Sequence, residues 1–280
     1  MASERHPRAK RSLGQNFLVD ENIQRKIVAA LGAEPDDDVL EIGPGRGALT
    51  RHLVGSVGRL VLVELDDQLA AELAEEHGAR SDVSVVHADI LDYPLTELVP
   101  AGSPVEDLLV VGNIPYNITT PILFHLLAGP RPRDIVLMVQ DDVAARIVAE
   151  AGTKEYGALS VGIRTVARVE RLFKVGRKAF RPVPRVDSAI IRVTPIQPPP
   201  LSERDERLLR NLVRAAFQWR RKQLGKILRD HPDLGYSPYV IAAATADVGV
   251  SATDRPERLT PADFVALSAA LPSNGSTPNL

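Results

Sequence analysis

Cysteine is absent from all 280 residues, which excludes disulfides, thiolate metal sites and cysteine nucleophiles together. The six histidines are scattered without HxxxH or similar ligand spacing, so no metal site is expected. No apolar run approaches the roughly 18 residues that a membrane-spanning helix needs. The basic start of the chain lacks the apolar core of a signal peptide, and a cytoplasmic location is the expectation. Excess charge is lacking too, because 34 Lys and Arg against 36 Asp and Glu leave a formal net charge of −2. That average argues weakly against a nucleic-acid partner, but the basic residues are segregated, and their clustering is more informative than their sum. What remains is an ordinary globular composition, 44% apolar and 25% charged, with length for about two domains.

Short apolar runs set the framework. Val39 to Ile42 reads as a buried strand, broken by Gly43-Pro44-Gly45-Arg46-Gly47 before a helix from about Ala48 to Leu53. A glycine-rich turn between strand and helix lets backbone N–H groups approach a ligand. The spacing is GxGxG, not the GxGxxG of nicotinamide dehydrogenases. Glu41 stands just ahead of the turn, where it could face a cationic group. The next strand, Leu60 to Val63, ends in Glu64, where a carboxylate can take both hydroxyls of a ribose. Asp66 then caps a helix to about His77, and a third strand, Val83 to Val86, leads into Ala88-Asp89-Ile90. The Asp89 carboxylate can accept from an adenine amino group. Glycines, a glutamate and an aspartate at successive strand ends describe an adenosine pocket on the carboxyl rim of a parallel sheet.

A fourth strand, Leu108 to Val111, runs into Asn113-Ile114-Pro115-Tyr116 on the same rim. In isolation these four residues are a strand-to-loop turn. Beside an adenosine pocket they suit the holding of a flat, amine-bearing base: the Asn113 side-chain oxygen and the Ile114 carbonyl accept its two N–H groups, Pro115 stiffens the turn, and Tyr116 offers a stacking face. Further strands are expected over Ile135 to Val139, Val169 to Phe173 and Ser188 to Thr194, with helices starting at Thr119-Thr120 (Pro121 near the first turn) and running to about Leu127, from Asp141 to Ala149, and opening at Tyr156. Between the last two strands lies a basic, proline-stiffened loop, 174–185, holding Arg177, Lys178 and Arg181. Its one aromatic, Phe180, either tucks into the core or covers the second face of the base held by Tyr116. We assign it to the site, since base–aromatic stacking is worth roughly 1–3 kcal/mol.

Pro195-Ile196-Gln197-Pro198-Pro199-Pro200 is the clearest linker. Beyond it Leu208, Leu209, Leu212, Val213 and Phe217 stripe a helix starting near Ser202, and Arg220, Arg221 and Lys222 form a basic run leading to a helical stretch ending at Leu228. A last helix begins at Thr260-Pro261. Near the start, Asp20 caps a helix from about Glu21 to Leu31, preceded by Arg5, Arg8, Lys10 and Arg11 in a segment expected to be flexible. Three basic clusters in a chain of near-zero net charge suggest an RNA-facing surface.

Across nearly its whole length the chain resembles the small-subunit ribosomal RNA adenine N6-dimethyltransferases of the kasugamycin-resistance type. The resemblance runs from Gln15-Asn16-Phe17-Leu18 through Glu41-Ile42-Gly43-Pro44-Gly45, Asn113-Ile114-Pro115-Tyr116, Gln140, Ala144 and Arg146. It continues through Tyr156-Gly157, Leu159-Ser160-Val161, Phe180 to Ser188, and Ala216-Phe217 with Arg220-Arg221-Lys222. It implies an α/β, Rossmann-like class I S-adenosylmethionine-dependent methyltransferase sheet of seven strands, the last antiparallel, over residues 1–197. A small all-α RNA-contacting domain would follow over 198–272, then a disordered tail over 273–280. By the same resemblance Asn16 and Leu18 line the methionine end of S-adenosylmethionine, Glu64 binds its ribose and Asp89 its adenine, with Gln15, Gly43, Gly45 and Ile90 in the same set. Asn113 touches both cofactor and target; Ile114, Tyr116 and Phe180 complete the catalytic group; Arg177, Lys178, Arg181, Arg220, Arg221 and Lys222 face RNA. The implied activity places two methyl groups on each of two adjacent adenines in a hairpin loop near the 3′ end of small-subunit (16S) rRNA, within a pre-30S particle and with a part in its maturation. A monomer that needs neither metal nor membrane is expected. Departures are Ile114 where the family often has Leu, Asp141-Asp142 in place of a mixed pair, and Gln218-Trp219 before the basic run. The alternatives are the related large-subunit enzyme of the macrolide-resistance type and a non-catalytic assembly factor, the latter disfavoured by intact Glu64, Asp89, Asn113 and Tyr116.

Overall fold

The structure, a computed structural model, describes residues 15–99, 103–116 and 118–272. The expectations for Arg5 to Arg11 and for 273–280 lie outside them. In chain order the elements are β1 (Phe17–Leu18), α1 (Glu21–Leu31), β2 (Asp38–Ile42), α2 (Thr50–Leu53), β3 (Arg59–Glu64), α3 (Asp67–His77), β4 (Val83–His87), β5 (Leu109–Asn113), α4 (Thr119–Leu126) and β6 (Asp134–Gln140). There follow α5 (Asp141–Val148), α6 (Ala158–Arg164), β7 (Ala167–Val175), β8 (Phe180–Arg181), β9 (Ser188–Pro195), α7 (Glu203–Gln218), α8 (Leu224–Asp230), α9 (Pro238–Val248) and α10 (Pro261–Ala270). Among the described residues no helix is long and apolar enough to cross a membrane.

Seven strands form one sheet in the order β4-β3-β2-β5-β6-β9-β7. The run from β4 to β6 is parallel, and β9 joins β6 antiparallel with Gln140 opposite Ser188. β3, β5 and β6 carry near-continuous apolar runs, and β2 one interrupted by Glu41, because parallel strands are covered on both faces; their Val, Leu and Ile side chains are almost wholly buried. Side-chain caps fix where helices start on this frame. Asp20 accepts from the N–H groups of Asn22 and Ile23 at the head of α1, and Asp66 from those of Gln68 and Leu69 at the head of α3. The sheet has the expected seven strands with the last in sequence antiparallel, but the helix after the glycine turn is a single turn, Thr50–Leu53, rather than one starting at Ala48.

Contacts divide the chain at 144/145, 168/169 and 195/196, giving a sheet unit and a helical unit. The sequence division placed the helical part at 198–272; the contacts also assign it 145–168. The reason is packing: Tyr156 is fully buried there, donates its hydroxyl to the Leu259 carbonyl at 2.7 Å and meets the Phe217 ring edge-on at 5.9 Å. Helix α9 was not expected, although Ser237 caps it, Pro238 opens it and Gly249 ends it at φ 77°. A two-stranded ribbon, β1 with β8, was also missed; it sets Phe17 opposite Arg181 and Leu18 opposite Phe180. Two-residue strands carry no periodicity to read.

Gly112 marks the tightest approach in the sheet. A Cβ there would stand 2.7 Å from the Ile42 carbonyl oxygen and 2.9 Å from Cδ1 of Ile114. Gly112→Ala should therefore force the backbones of β2 and β5 apart and lower stability by about 1–3 kcal/mol, read as a lower urea midpoint; an unchanged midpoint would contradict the steric argument.

Candidate active site

A cavity of about 370 Å³ opens on the carboxyl rim of the sheet unit, within the size range of small-molecule sites. Its wall brings together Gln15, Asn16, Leu18, Gly43, Gly45, Glu64, Asp89, Ile90, Asn113, Ile114 and Tyr116, which the sequence analysis assigned to one site. Their strand ends lie level because Ile42 pairs with Gly112 on one side of β2 and with Val63 on the other.

The turn after β2 takes left-handed backbone at three glycines, with φ of 64° at Gly43, 60° at Gly45 and 68° at Gly47. A Cβ at Gly45 would press on the Phe17 ring at 3.3 Å. Within the protein Gly43 donates to the Val63 carbonyl at 2.9 Å, Gly45 to Glu64 Oε2 at 3.0 Å and Gly47 to the Pro44 carbonyl at 3.0 Å. The glycines thus serve the shape of the wall, and their donors hold the turn to its neighbours.

Glu64 is 6% exposed, and its other oxygen accepts from the Asp66 N–H at 2.9 Å. Burial pushes its carboxyl up, against the pull of the Asp66 and Gly45 amides. Asp89 caps a short turn over Ile90–Asp92 by accepting from the Leu91 N–H at 2.9 Å. Gln15 donates from Nε2 to Asp66 Oδ2 at 3.0 Å. Asn113 donates from Nδ2 to the backbone carbonyl of Asn16 at 3.1 Å, which turns its side-chain oxygen away from that contact as an acceptor. Tyr116, half-buried, shares a hydrogen bond of 2.6 Å with the hydroxyl of Ser188.

Gln24 and Arg46 are among the wall residues that were not assigned from sequence. Gln24, 2% exposed, donates to the Leu18 carbonyl at 3.1 Å and accepts from His52 at 3.1 Å, which fixes the entry into α1. Arg46 lies with its guanidinium 4.1 Å from the centroid of the Phe17 ring, a cation–π contact that joins the glycine turn to the segment before α1.

Phe180 is corrected. Its ring is fully buried in the apolar core with Leu18, Val175 and Ile190, and is not part of the cavity wall. The cause is the β1–β8 pairing, whose alternation turns Phe180 inward and Arg181 outward. In the same loop Arg177, Lys178 and Arg181 are exposed, and Arg181 donates to the carbonyls of Lys178 at 3.2 Å and Phe180 at 2.8 Å. Within the helical unit Arg221 and Lys222 are exposed. Arg220 is different: it pairs with Glu257 at 2.7 Å and donates to the Lys154 carbonyl at 3.2 Å, which ties loops of that unit together.

Glu41, placed by the sequence where it could face a cationic group, lines the cavity; its carboxylate, 1% exposed, accepts from the Thr50 hydroxyl at 2.7 Å. Burial pushes its carboxyl up to about 7; the Thr50 bond opposes the shift and the Glu64 charge adds to it. A folded value above the ordinary 4.5 contributes stability that is complete below pH 4.5 and is lost as pH rises through about 7. Glu41→Gln keeps an acceptor for Thr50 without the charge. It should flatten the decline of thermal midpoint between about pH 5 and pH 8; an unaltered slope would show that Glu41 is ionised in the folded protein at little cost.

Comparison with known proteins follows the same lines. The family model described as ribosomal RNA adenine dimethylase matches residues 6–254. Ribosomal RNA small subunit methyltransferase A of Pseudomonas aeruginosa is 42% identical over 271 residues, which is 95% of this chain and 97% of that protein. The crystal structure of a dimethyladenosine transferase from Plasmodium falciparum aligns with a TM-score of 0.76 at 25% identity, over 90% of this chain and 95% of that one. That of the 23S rRNA methyltransferase ErmE aligns with a TM-score of 0.68 at 29% identity, over 91% and 99%. A match over 6–254, carried by a seven-stranded sheet whose glycine turn and Asn113-Ile114-Pro115-Tyr116 border one cavity, makes this chain a member of the ribosomal RNA adenine dimethylase family.

Proposed function

We propose that the protein transfers methyl groups from S-adenosylmethionine to N6 of two adjacent adenines in the 3′-terminal hairpin loop of small-subunit rRNA, acting on a maturing small subunit. The observation that carries this reading is the Asn113 amide, which donates one N–H to the Asn16 carbonyl and is thereby oriented with its oxygen available to accept from the target amine. The cavity's chemistry suits the cofactor: carboxylates at Glu64 and Asp89 can receive ribose hydroxyls and an adenine amine, and a Cβ built on Gly43 would meet nothing within 4 Å. Glu64, Asp89 and Ile90 hold the nucleoside end; Gln15, Asn16, Leu18 and the turn at Gly43 and Gly45 hold the methionine end.

When bound, S-adenosylmethionine supplies a methyl group already activated on a sulfonium. The residues of this chain position its acceptor. An adenine amine is a poor nucleophile because its lone pair is delocalised into the ring. Acceptance of both N–H groups by Asn113 and the Ile114 carbonyl favours a pyramidal nitrogen and frees that pair, while Tyr116 fixes the ring plane. Positioning of this kind can supply roughly 7–11 kcal/mol, against the 10²–10⁴-fold typical of a general base, so no side chain is assigned as an obligate base. The exposed Arg177, Lys178, Arg181, Arg221 and Lys222 provide phosphate contacts, with Arg220 acting through the loops it braces.

The likeness to ErmE motivates one second reading, a large-subunit substrate. Labelled S-adenosylmethionine offered with unmethylated small subunits, and separately with large-subunit RNA, decides between them. Label should enter N6,N6-dimethyladenine in small subunits alone. Asn113→Ala should cut the rate by about 10²-fold or more, as expected when a positioning contact at the reacting atom is lost, with cofactor binding changed far less. Transfer to large-subunit RNA alone, or full activity in Asn113→Ala, would overturn the assignment.

A further inference from the structure

The hydroxyl of Ser188 has a use that the proposed chemistry leaves unassigned. Ser188 is fully buried at the first position of β9, where its backbone is registered against Gln140. Its side chain reaches out of the sheet to the Tyr116 hydroxyl at 2.6 Å. Tyr116 stands beyond the last residue of β5 in the loop that opens with Pro115, so no ladder hydrogen bond fixes its ring. Burial and the Ser188 bond act oppositely on the Tyr116 hydroxyl, with burial the larger and holding it protonated well above neutral pH. The phenol therefore keeps a proton for this contact.

The residue before Ser188 is itself anchored. Asp187 pairs with Lys174 at 2.9 Å and accepts from the Arg177 N–H at 3.0 Å, and its carbonyl accepts from the Asp141 N–H at 3.1 Å. Ser188 is thus a rigid point, and Tyr116 a ring on a loop tied to it. A buried hydroxyl deprived of its partner is costly, so the bond orients both groups.

We propose that Ser188 is a positioning residue that clamps the Tyr116 ring as the platform for the target adenine, and that this clamp matters most in the second methylation. The proposal rests on the reading above that the base stacks on Tyr116. Its logic follows from counting donors. An unmodified amine offers two N–H groups to Asn113 and the Ile114 carbonyl. After one methyl transfer it offers a single N–H, and one of those anchors is lost. Stacking must then supply a larger share of the orientation, and a ring free to tilt supplies less of it.

The test uses the full chain with unmethylated small subunits and labelled S-adenosylmethionine. N6-monomethyladenine and N6,N6-dimethyladenine are quantified in the digested RNA through the time course. Ser188→Ala removes the clamp from the buried side. Tyr116→Phe removes it from the half-exposed side and keeps the ring, so a folding defect in the first variant does not decide the result. Each should raise the peak ratio of monomethylated to dimethylated adenine by roughly 2- to 10-fold, the effect of one neutral hydrogen bond. The double variant should be no worse than either single one. An unchanged ratio in Tyr116→Phe, or single effects that multiply in the double variant, would overturn the clamp. Tyr116→Ala separates the two levels of inference. If it retains full transfer, the stacking reading itself fails; if it loses transfer while Tyr116→Phe keeps the wild-type ratio, only the clamp fails.

Discussion

The close approach of β2 and β5 at Gly112 is the constraint on which the site depends. Ile42 and Gly112 pair in register, and the space between them has no room for a side-chain carbon. This register brings two chemically different exits to the same height: the glycine turn leaves one strand and Asn113 ends the other. A shift of one residue would turn every side chain of the strand to the opposite face, so an intermediate arrangement is not available. The third exit is fixed from the other side, where Gly43 donates to the Val63 carbonyl and Glu64 reaches back to the Gly45 amide. Ladder pairing and hydrogen bonds from the glycine amides thus align the rim within the protein itself, and this is the economical way to hold groups that must act together.

The alignment has an electrostatic cost. Glu41 and Glu64 both have carboxyls pushed up by burial, and the charge of each Glu64 oxygen is met chiefly by backbone amides rather than by a cation. Carboxyls perturbed by burial cluster in clefts that bind ligands. The glycine turn makes the same compromise in its backbone. Three residues adopt left-handed conformation there, at an entropic cost that only a required shape explains.

What could be read from sequence was what lies close along the chain. Glu64, Asp89 and Asn113 were legible because each ends an apolar run and the runs recur at βαβ spacing. The contacts that were missed join distant residues. Asn113 meets Asn16 across 97 positions, and Tyr116 meets Ser188 across 72. Phe180 shows the same limit from the other side: its local sequence permits a core ring or an exposed one, and only the pairing of β1 with β8 chooses between them. Arg220 belongs to a basic run, yet Glu257 claims it, and nothing near it in the sequence announces that partner. Helix α9 is a separate case, because its cap, its first-turn proline and its terminal glycine were all present to be read.

The arrangement at Asn113 also bears on which base the site accepts. An asparagine amide ordinarily offers both a donor and an acceptor, and could pair with a base carbonyl as readily as with an amine. Here one N–H of the amide is committed to the Asn16 carbonyl, within the protein, and this fixes which way the group is turned. On the reading proposed above, the groups left for the base are the Asn113 oxygen and the Ile114 carbonyl, and both are acceptors. A guanine or uracil would bring a carbonyl oxygen to the reactive position and face them with like partial charge. Leaving buried polar groups unpaired rejects a ligand far more strongly than a change of size does. On that reading the segment before α1 contributes to base selection as well as to the cavity wall, because the Asn16 carbonyl holds the Asn113 amide in the orientation that presents its oxygen.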